Sequence, residues 1–195
     1  SSFRSNPLGL AEFTLSRKDP AYVGRAKAVR ALEEAREAGG CPCSGGTELS
    51  DEIKAVIEDI KKAFPDMDAK ETAVGSTIYA VKPGDGSARE QAASCQKVLG
   101  GWANIAKGYA TKRYRSNLIN WGMPFLYPED ELPFANDDYI FIPGIRKAIQ
   151  DKLTDIPAYV VGKEMKPITL KMGELTDDER KIILAGCLIN YYKES

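Results

Sequence analysis

Residues 77–90 decide the fold of this chain, with the sequence Thr-Ile-Tyr-Ala-Val-Lys-Pro-Gly-Asp-Gly-Ser-Ala-Arg-Glu. Thr77–Val81 is rich in β-branched and aromatic residues, which is typical of a buried strand. The glycine-rich turn Pro83–Gly86 follows, and residues 87–99 have the pattern of a helix that ends at a pair of glycines. A buried strand, a glycine turn and a helix in this order are typical of a βαβ unit.

The same alternation continues towards the C-terminus. Trp102–Ala106 is a second short apolar run, and a helix is predicted from about Tyr109 to Asn120. The later predicted strands are Tyr139–Ile142, Ala158–Val161 and Ile168–Met172. The later predicted helices are Ile145–Lys152 and a closing helix through Leu188, which opens with the capping box Thr176–Glu179. The pattern therefore indicates one α/β domain whose parallel strands are joined by right-handed crossovers.

The N-terminal third is predicted to be helical. Asp19-Pro20 is a helix-start signal, and that helix ends at Gly39-Gly40. Ser50 is predicted to cap a second helix with a one-sided apolar stripe. Its members are Ile53, Val56, Ile57, Ile60 and Phe64. We expect this stripe to pack on the chain's own core, although a helix that docks on a partner has the same pattern. The region near Glu37–Met67 is then a loop-and-helix insert.

Composition excludes several chemistries. The 195 residues include 27 Lys+Arg, 28 Asp+Glu and no histidine, so Ser-His pairs, Cys-His pairs and His-ligated metal sites are excluded. The net charge of −1 favours neither nucleic acid nor an acidic membrane as a partner. No stretch approaches the roughly 18 apolar residues of a membrane helix. The start of the chain lacks a secretory signal and an initiator Met, which suggests a piece of a longer chain.

The four cysteines are Cys41, Cys43, Cys95 and Cys187. A single C-x-C pair supports neither a four-thiolate zinc site nor an iron–sulfur site. Cys95 and Cys187 fall inside predicted helices, where a buried apolar role is favoured. This usage indicates a reducing, cytoplasmic setting.

The strongest candidate site is the loop that contains Gly84, Gly86, Ser87 and Arg89. Free N–H groups in the first turn of a helix bind carboxylate or phosphate. Arg89 is unfavourable for the helix dipole at this position, and a guanidinium there suits an anionic ligand. In the alternative interpretation, Ser87 is only an N-cap and Arg89 only a solvated side chain. The residues of this loop match neither the Walker A motif nor the nucleophile-elbow motif.

A second candidate is the basic run Lys107–Arg115, in which tyrosines alternate with Lys and Arg. Such a mixture can contact phosphates and stack on bases, but a solvated helix face is favoured. The acidic residues of 129–131 and 137–138 lack the ligand spacing of a cation site.

Several segments together resemble the C-terminal swivelling domain of the aconitase family. They are 84–93 (GDGSAREQAA), 99–101 (LGG), 117–122 (NLINWG), Phe3–Asn6 with Ala11–Phe13, and Leu184–Gly186. The resemblance implies a β/β/α swivel fold and a hydro-lyase that acts on hydroxy di- or tricarboxylic acids. It also implies that Ser87 is the base that removes the α-proton, and that Arg89 and Arg4 bind substrate carboxylates. Ala88 replaces a second serine and leaves only its backbone N–H, while Gln91 replaces a histidine.

The family carries a 4Fe-4S cluster whose open iron acts as a Lewis acid. The resemblance implies that its ligands lie outside this chain, in cluster-bearing domains or a subunit that is the expected partner. No metal on this chain, no membrane and no nucleic acid are expected. Two alternatives remain: the small subunit of an isopropylmalate-dehydratase-type enzyme, which Phe3–Asn6 disfavours, and a non-catalytic binding or regulatory module.

Overall fold

The computed structural model describes residues 5–17, 19–43, 47–129 and 131–194. The helices are α1 (Pro7–Ser16), α2 (Pro20–Glu37), α3 (Glu48–Ala63), α4 (Arg89–Val98), α5 (Lys112–Asn120), α6 (Ile145–Gln150), α7 (Asp177–Leu184) and α8 (Leu188–Glu194). The strands are β1 (Ser76–Ala80), β2 (Gly101–Ala106), β3 (Phe125–Pro128), β4 (Tyr139–Phe141), β5 (Asp155–Val161) and β6 (Lys166–Met172).

The described strands form one mixed sheet in the order β1-β2-β3-β6-β5-β4. β1, β2 and β3 run parallel. β6, β5 and β4 are added with antiparallel pairing. Because α4 connects β1 to β2 and α5 connects β2 to β3, the predicted βαβ units are confirmed. The loops that follow β1 and β2 therefore lie at the same edge of the sheet.

The main core joins the sheet to the helices of the second half of the chain. Ile105 of β2, Leu126 of β3 and Leu170 of β6 are almost completely buried, as is Leu118 of α5. They belong to one apolar cluster that also includes residues of α4, α6 and α7. This packing fixes the edge of the parallel strands against the helices that connect them.

The insert has a core of its own. Ile53 and Ile57 of α3 pack with Leu32 of α2 and Ala69 in a separate apolar cluster, so the stripe packs on this chain as expected. The predicted cap was wrong by three residues. Thr47 is the N-cap, and Ser50 at the third helical position completes a capping box with it.

Two predicted helix boundaries were wrong for reasons visible in the backbone. Thr111 is extended and its Oγ1 accepts a hydrogen bond from the N–H of Tyr114, so α5 begins at Lys112 and not near Tyr109. The closing helix does not continue to Leu188. It stops at Leu184, because Gly186 has a left-handed φ of 89° that ends the helix before α8.

Three elements, α1, β3 and α8, were not predicted from the residue pattern. α1 begins after Asn6, whose side chain accepts from the N–H of Gly9 at 2.9 Å. β3 is a four-residue strand whose first two residues are buried. Cys95 is buried in α4 as predicted, whereas Cys187 is partly exposed and lies between α7 and α8.

Candidate active site

The loop between β1 and α4 is tied to the loop that follows β2. The N–H of Gly108 donates to the carbonyl of Val81 at 3.0 Å, and the N–H of Ala110 donates to that of Pro83 at 2.9 Å. Because both loops leave parallel strands at the same edge, they form one surface there. Residues 84–89, the serine loop, lie directly beyond these two hydrogen bonds.

Gly84 requires glycine for two reasons. Its φ is 97°, in the left-handed region that L side chains avoid. A Cβ atom at this position would also lie 2.5 Å from Cβ of Tyr114, whose side chain is 1% exposed. The loop therefore approaches α5 closely at Gly84. Gly86 differs, since a Cβ there would meet no heavy atom within 4 Å.

The carbonyl oxygen of Gly84 accepts two side-chain hydrogen bonds. Nε of Arg89 donates to it at 3.2 Å, and Oγ1 of Thr111 donates to it at 3.0 Å. Arg89 is half-buried and its terminal Nη atoms have no protein acceptor among the described residues. The loop therefore holds the guanidinium. The alternative interpretation required Arg89 to be a freely solvated side chain, which it is not.

Ser87 and Ala88 are exposed at the start of α4. The N-cap is Ala88, which has no hydroxyl, so no side chain caps the first turn of the helix. Ser87 is therefore not the N-cap that the alternative interpretation made it. The N–H of Ala88 has no protein acceptor in the described part of the chain. Uncapped amides at a helix N-terminus stabilise negative charge.

A buried polar network lies beneath the serine loop. Nε2 of Gln96 donates to the hydroxyl of Tyr114 at 2.9 Å, and Nδ2 of Asn104 donates to Oε1 of Gln96 at 2.8 Å. Burial raises the pKa of Tyr114, and the hydrogen bond with Gln96 opposes that rise. Asn104 is 1% exposed and its Oδ1 has no partner among the described residues. Sequence reasoning missed this network; the one signal was a polar Asn inside the apolar run 102–106.

The basic run does not form a stacking platform. Tyr114 is buried, and the hydroxyl of Tyr109 donates to the carbonyls of Asn104 at 2.9 Å and Leu126 at 3.3 Å. Burial raises the pKa of Tyr109 strongly. Since both tyrosines of the run Lys107–Arg115 point into the domain, neither ring is available to stack on bases.

Phe3 and Arg4 lie outside the described residues, so the predicted role of Arg4 stays a prediction. The helix that follows, α1, packs on α4 in one apolar cluster through Ala11, Cys95 and Leu99. The chain therefore enters α1 beside the helix whose N-terminus follows Ser87. Gln91 is exposed on α4, where the resemblance expects a histidine.

The cysteines do not assemble into a ligand set. Cys41 and Cys43 form a disulfide with each other, which departs from the reducing setting predicted from the sequence. Burial raises the pKa of the Cys95 thiol. Within the described ranges, no group of three or more Cys, Asp or Glu side chains could hold a metal ion. The same ranges contain no helix long and apolar enough to cross a membrane.

The fold and the loop together define a class. A mixed sheet with a serine–arginine loop after its first parallel strand is the swivel-type α/β domain of aconitase-like proteins. The 3-isopropylmalate dehydratase (leuD) of Methanocaldococcus jannaschii is 32% identical, over 65% of this chain and 68% of that chain, with a TM-score of 0.47. No protein-family model matches this chain, and no curated protein matches it. The chain is thus similar in sequence to that dehydratase over about two thirds of each chain.

Proposed function

We propose that this chain is the substrate-binding and base-bearing domain of an aconitase-like hydro-lyase. Its substrate is a hydroxy di- or tricarboxylic acid, which the enzyme dehydrates and rehydrates. One observation carries the proposal: exposed Ser87 stands at the uncapped N-terminus of α4, with Arg89 held beside it. A hydroxyl, free amides and a guanidinium are the groups that proton abstraction next to a carboxylate needs.

Ser87 acts as the base in its alkoxide form. The positive end of the α4 dipole, the Ala88 N–H and the neighbouring Arg89 stabilise that negative charge. The alkoxide takes the proton from the carbon next to a substrate carboxylate, and the C–H electron pair becomes the new double bond. The C–O bond to the hydroxyl on the adjacent carbon breaks, and the hydroxyl leaves with that bonding pair as hydroxide, which a proton from solvent converts to water. In the hydration direction the same serine returns the proton.

Arg89 binds a substrate carboxylate, and Arg4 binds a second one. Guanidinium groups suit this task because they pair with carboxylates through two parallel hydrogen bonds. Ala88 offers only its N–H where the family has a second serine. Gln91 offers an amide where the family has a histidine. These two departures bear on which hydroxy acid is bound, and they leave proton abstraction to Ser87.

The described residues do not fit an iron–sulfur cluster. Cys41 and Cys43 are joined to each other, and Cys95 is buried among apolar side chains. We assign the cluster of the family to other domains or to another subunit, and that part is also the partner we expect. We also propose a cytoplasmic location, which the free thiols of Cys95 and Cys187 support and the Cys41–Cys43 disulfide does not.

A second candidate is the small subunit of an isopropylmalate-dehydratase-type enzyme. The identity with the archaeal 3-isopropylmalate dehydratase favours it. The two candidates share the serine loop and differ in whether cluster-ligating cysteines are encoded in the same polypeptide. The flanking coding sequence distinguishes them: an upstream C-x-x-C pair in the same reading frame supports the single-chain enzyme.

The experiment compares Ser87→Ala with Ser94→Ala in the complete, cluster-loaded enzyme. Ser94 also lies on α4, where its hydroxyl donates to the carbonyl of Gln91 at 3.3 Å, so it is a matched control. Turnover is measured on citrate, cis-aconitate and 3-isopropylmalate. We expect Ser87→Ala to lower kcat at least about a hundredfold and Ser94→Ala to leave it unchanged.

The other outcomes are equally informative. An unchanged rate in Ser87→Ala rejects Ser87 as the base. A wild-type protein that turns over none of the three acids supports the binding or regulatory module instead of the hydro-lyase.

A further inference from the structure

Thr111 connects α5 to the serine loop through a single hydroxyl group. Its Oγ1 accepts from the N–H of Tyr114 at 3.2 Å and donates to the carbonyl of Gly84 at 3.0 Å. A hydroxyl can accept and donate at the same time, so one side chain caps the helix and holds the loop. The first task is that of any N-cap threonine, whereas the second has no part in forming α5.

The backbone alone does not hold the Gly84 carbonyl. The backbone hydrogen bonds between the two loops include those to the carbonyls of Val81 and Pro83. Among the described residues, no backbone N–H donates to the carbonyl of Gly84. Within the described ranges, the Gly84 carbonyl accepts only from the side chains of Arg89 and Thr111. The orientation of this peptide group therefore depends on those two donors.

The same carbonyl determines which edge of Arg89 is available. Nε of Arg89 donates to Gly84 at 3.2 Å, which leaves Nη1 and Nη2 without a protein acceptor in the described residues. A planar guanidinium anchored by Nε presents its two terminal nitrogens side by side, in the geometry that binds a carboxylate through both oxygens. Thr111 donates to the same Gly84 carbonyl oxygen and thereby keeps that oxygen in place for Nε of Arg89.

We propose that Thr111 is a positioning residue for Arg89: its hydroxyl orients the Gly84 carbonyl, which directs the Nη1–Nη2 edge of Arg89 to a substrate carboxylate. This inference rests on the proposed function for the identity of the ligand. Thr111 itself touches no substrate. It acts through the Gly84 peptide, and its effect is therefore on the binding of the carboxylate, with proton transfer at Ser87 affected less.

Three substitutions separate the two tasks of the hydroxyl. Thr111→Ser keeps both hydrogen bonds. Thr111→Asp keeps a good helix cap but cannot donate to Gly84, because an ionised carboxylate has no proton. Thr111→Val removes both. Ser116→Ala is the matched control, since Ser116 lies on α5 and its hydroxyl donates to the carbonyl of Lys112 at 3.2 Å, with no bond to the serine loop among the described residues.

The first measurement is steady-state kinetics of the complete enzyme with citrate, cis-aconitate and 3-isopropylmalate. We expect Thr111→Val and Thr111→Asp to raise KM about tenfold while kcat stays within about threefold, because binding of the carboxylate is lost equally in the ground state and the transition state. Thr111→Ser and Ser116→Ala are expected to stay within about twofold of wild type in KM. A Thr111→Asp enzyme with wild-type KM overturns the proposal.

The second measurement does not depend on activity. Amide hydrogen exchange of residues 84–89 is followed in this chain, wild type against the four variants. We expect faster exchange in the Val and Asp variants and wild-type exchange in the Ser variant and in Ser116→Ala. If wild type turns over no acid but this exchange pattern is seen, the proposed function fails and the positioning of the loop stands. Wild-type exchange in Thr111→Asp overturns that positioning.

Discussion

Gly84 and Gly86 belong to the same loop, yet only Gly84 has a backbone conformation that other residues avoid. Its φ is 97°, its carbonyl accepts from Thr111 and Arg89, and its missing Cβ leaves room for the ring of Tyr114. Gly86 has open space around it. At the scale of single residues, the first glycine shapes the loop, and the second leaves the backbone beside Ser87 accessible to a ligand.

We therefore predict opposite tolerance to alanine at these two positions. Gly84→Ala should lower the free energy of unfolding by about 2 kcal/mol or more, because it combines left-handed strain with a clash against buried Tyr114. Gly86→Ala should change it by less than about 1 kcal/mol. Urea denaturation followed by circular dichroism measures both. Equal losses in the two variants would contradict the role of the close approach at Gly84.

The residues around this loop differ in how well the sequence predicts them. Ser87 and Arg89 follow a strand and a glycine turn, so their neighbourhood is local and could be inferred. Thr111 contacts the loop, and Gln96 contacts Tyr114 beneath it, only because β1, α4 and β2 fold against one another. Their spacing along the chain is set by the length of those elements, and no short motif records it. The role of Thr111 thus needs the tertiary structure.

At the scale of elements, α2 is joined to the segment before β1 by a buried charge. Glu33 is 6% exposed and accepts from Arg36 through both carboxylate oxygens, at 2.7 and 2.8 Å. It also accepts from the N–H of Val74 at 2.9 Å, and Arg36 donates to the carbonyl of Lys70 at 2.7 Å. The hydrogen bond with Glu33 raises the pKa of Arg36. The charged pair thereby positions the chain that enters β1.

We predict that Glu33→Gln lowers the free energy of unfolding by about 2–4 kcal/mol. The Gln side chain would place its amide N–H groups against the N–H groups of Arg36 at a buried position, where neither donor finds an acceptor. Glu34→Gln is the matched control: Glu34 neighbours Glu33, and its side chain is 59% exposed in an ion pair with Arg30. Such a surface pair on a helix contributes less than about 0.5 kcal/mol. Urea denaturation at neutral pH measures both variants. A loss no greater in Glu33→Gln than in Glu34→Gln would contradict the structural role of the buried pair.

The elements that sequence reasoning found have a periodic pattern, and those it missed have none. α3 has an apolar stripe at helical spacing and β1 a β-branched run, and both were predicted. α1 has apolar residues on most of its circumference, so its helical period is weak. β3 is a short run that ends in proline. Its place in the sheet comes from pairing with β2 and β6, which a local pattern does not reveal.

At the scale of the whole molecule, the insert and the serine loop lie on different parts of the sheet. The loop follows the parallel strand β1, whereas α3 of the insert contacts the antiparallel strands. The hydroxyl of Tyr139 in β4 donates to Oε2 of Glu52 in α3 at 2.9 Å. Phe64, at the end of α3, packs its ring against Phe141 and Tyr159 with centroids 5.4 and 5.1 Å apart. The insert thus supports β4 and β5, away from the proposed chemistry.

The Tyr139–Glu52 hydrogen bond predicts how this support responds to alkaline pH. Burial, with the hydrogen bond to Glu52 and its charge, raises the pKa of Tyr139 to about 12, against the opposing charge of Arg25. The pKa of the phenol in the unfolded chain is near its ordinary value of 10.0, so the unfolded state loses its proton first. The contribution is fully present below pH 10 and is lost as the pH rises towards 12.

Tyr139→Phe should therefore show a shallower fall in the free energy of unfolding between pH 10 and 12 than wild type. Below pH 10 the slopes of the two profiles should agree, because neither protein has an ionised group at this position there. Tyr192→Phe, which changes a ring on α8 that is 70% exposed, serves as the control and should keep the wild-type slope. Urea denaturation at a series of pH values measures the three profiles, and each slope reports the difference in bound protons between the unfolded and folded states. Parallel profiles for Tyr139→Phe and wild type up to pH 12 would show that the phenol ionises equally in both states, which would rule out the link between α3 and β4 as the source of the alkaline loss.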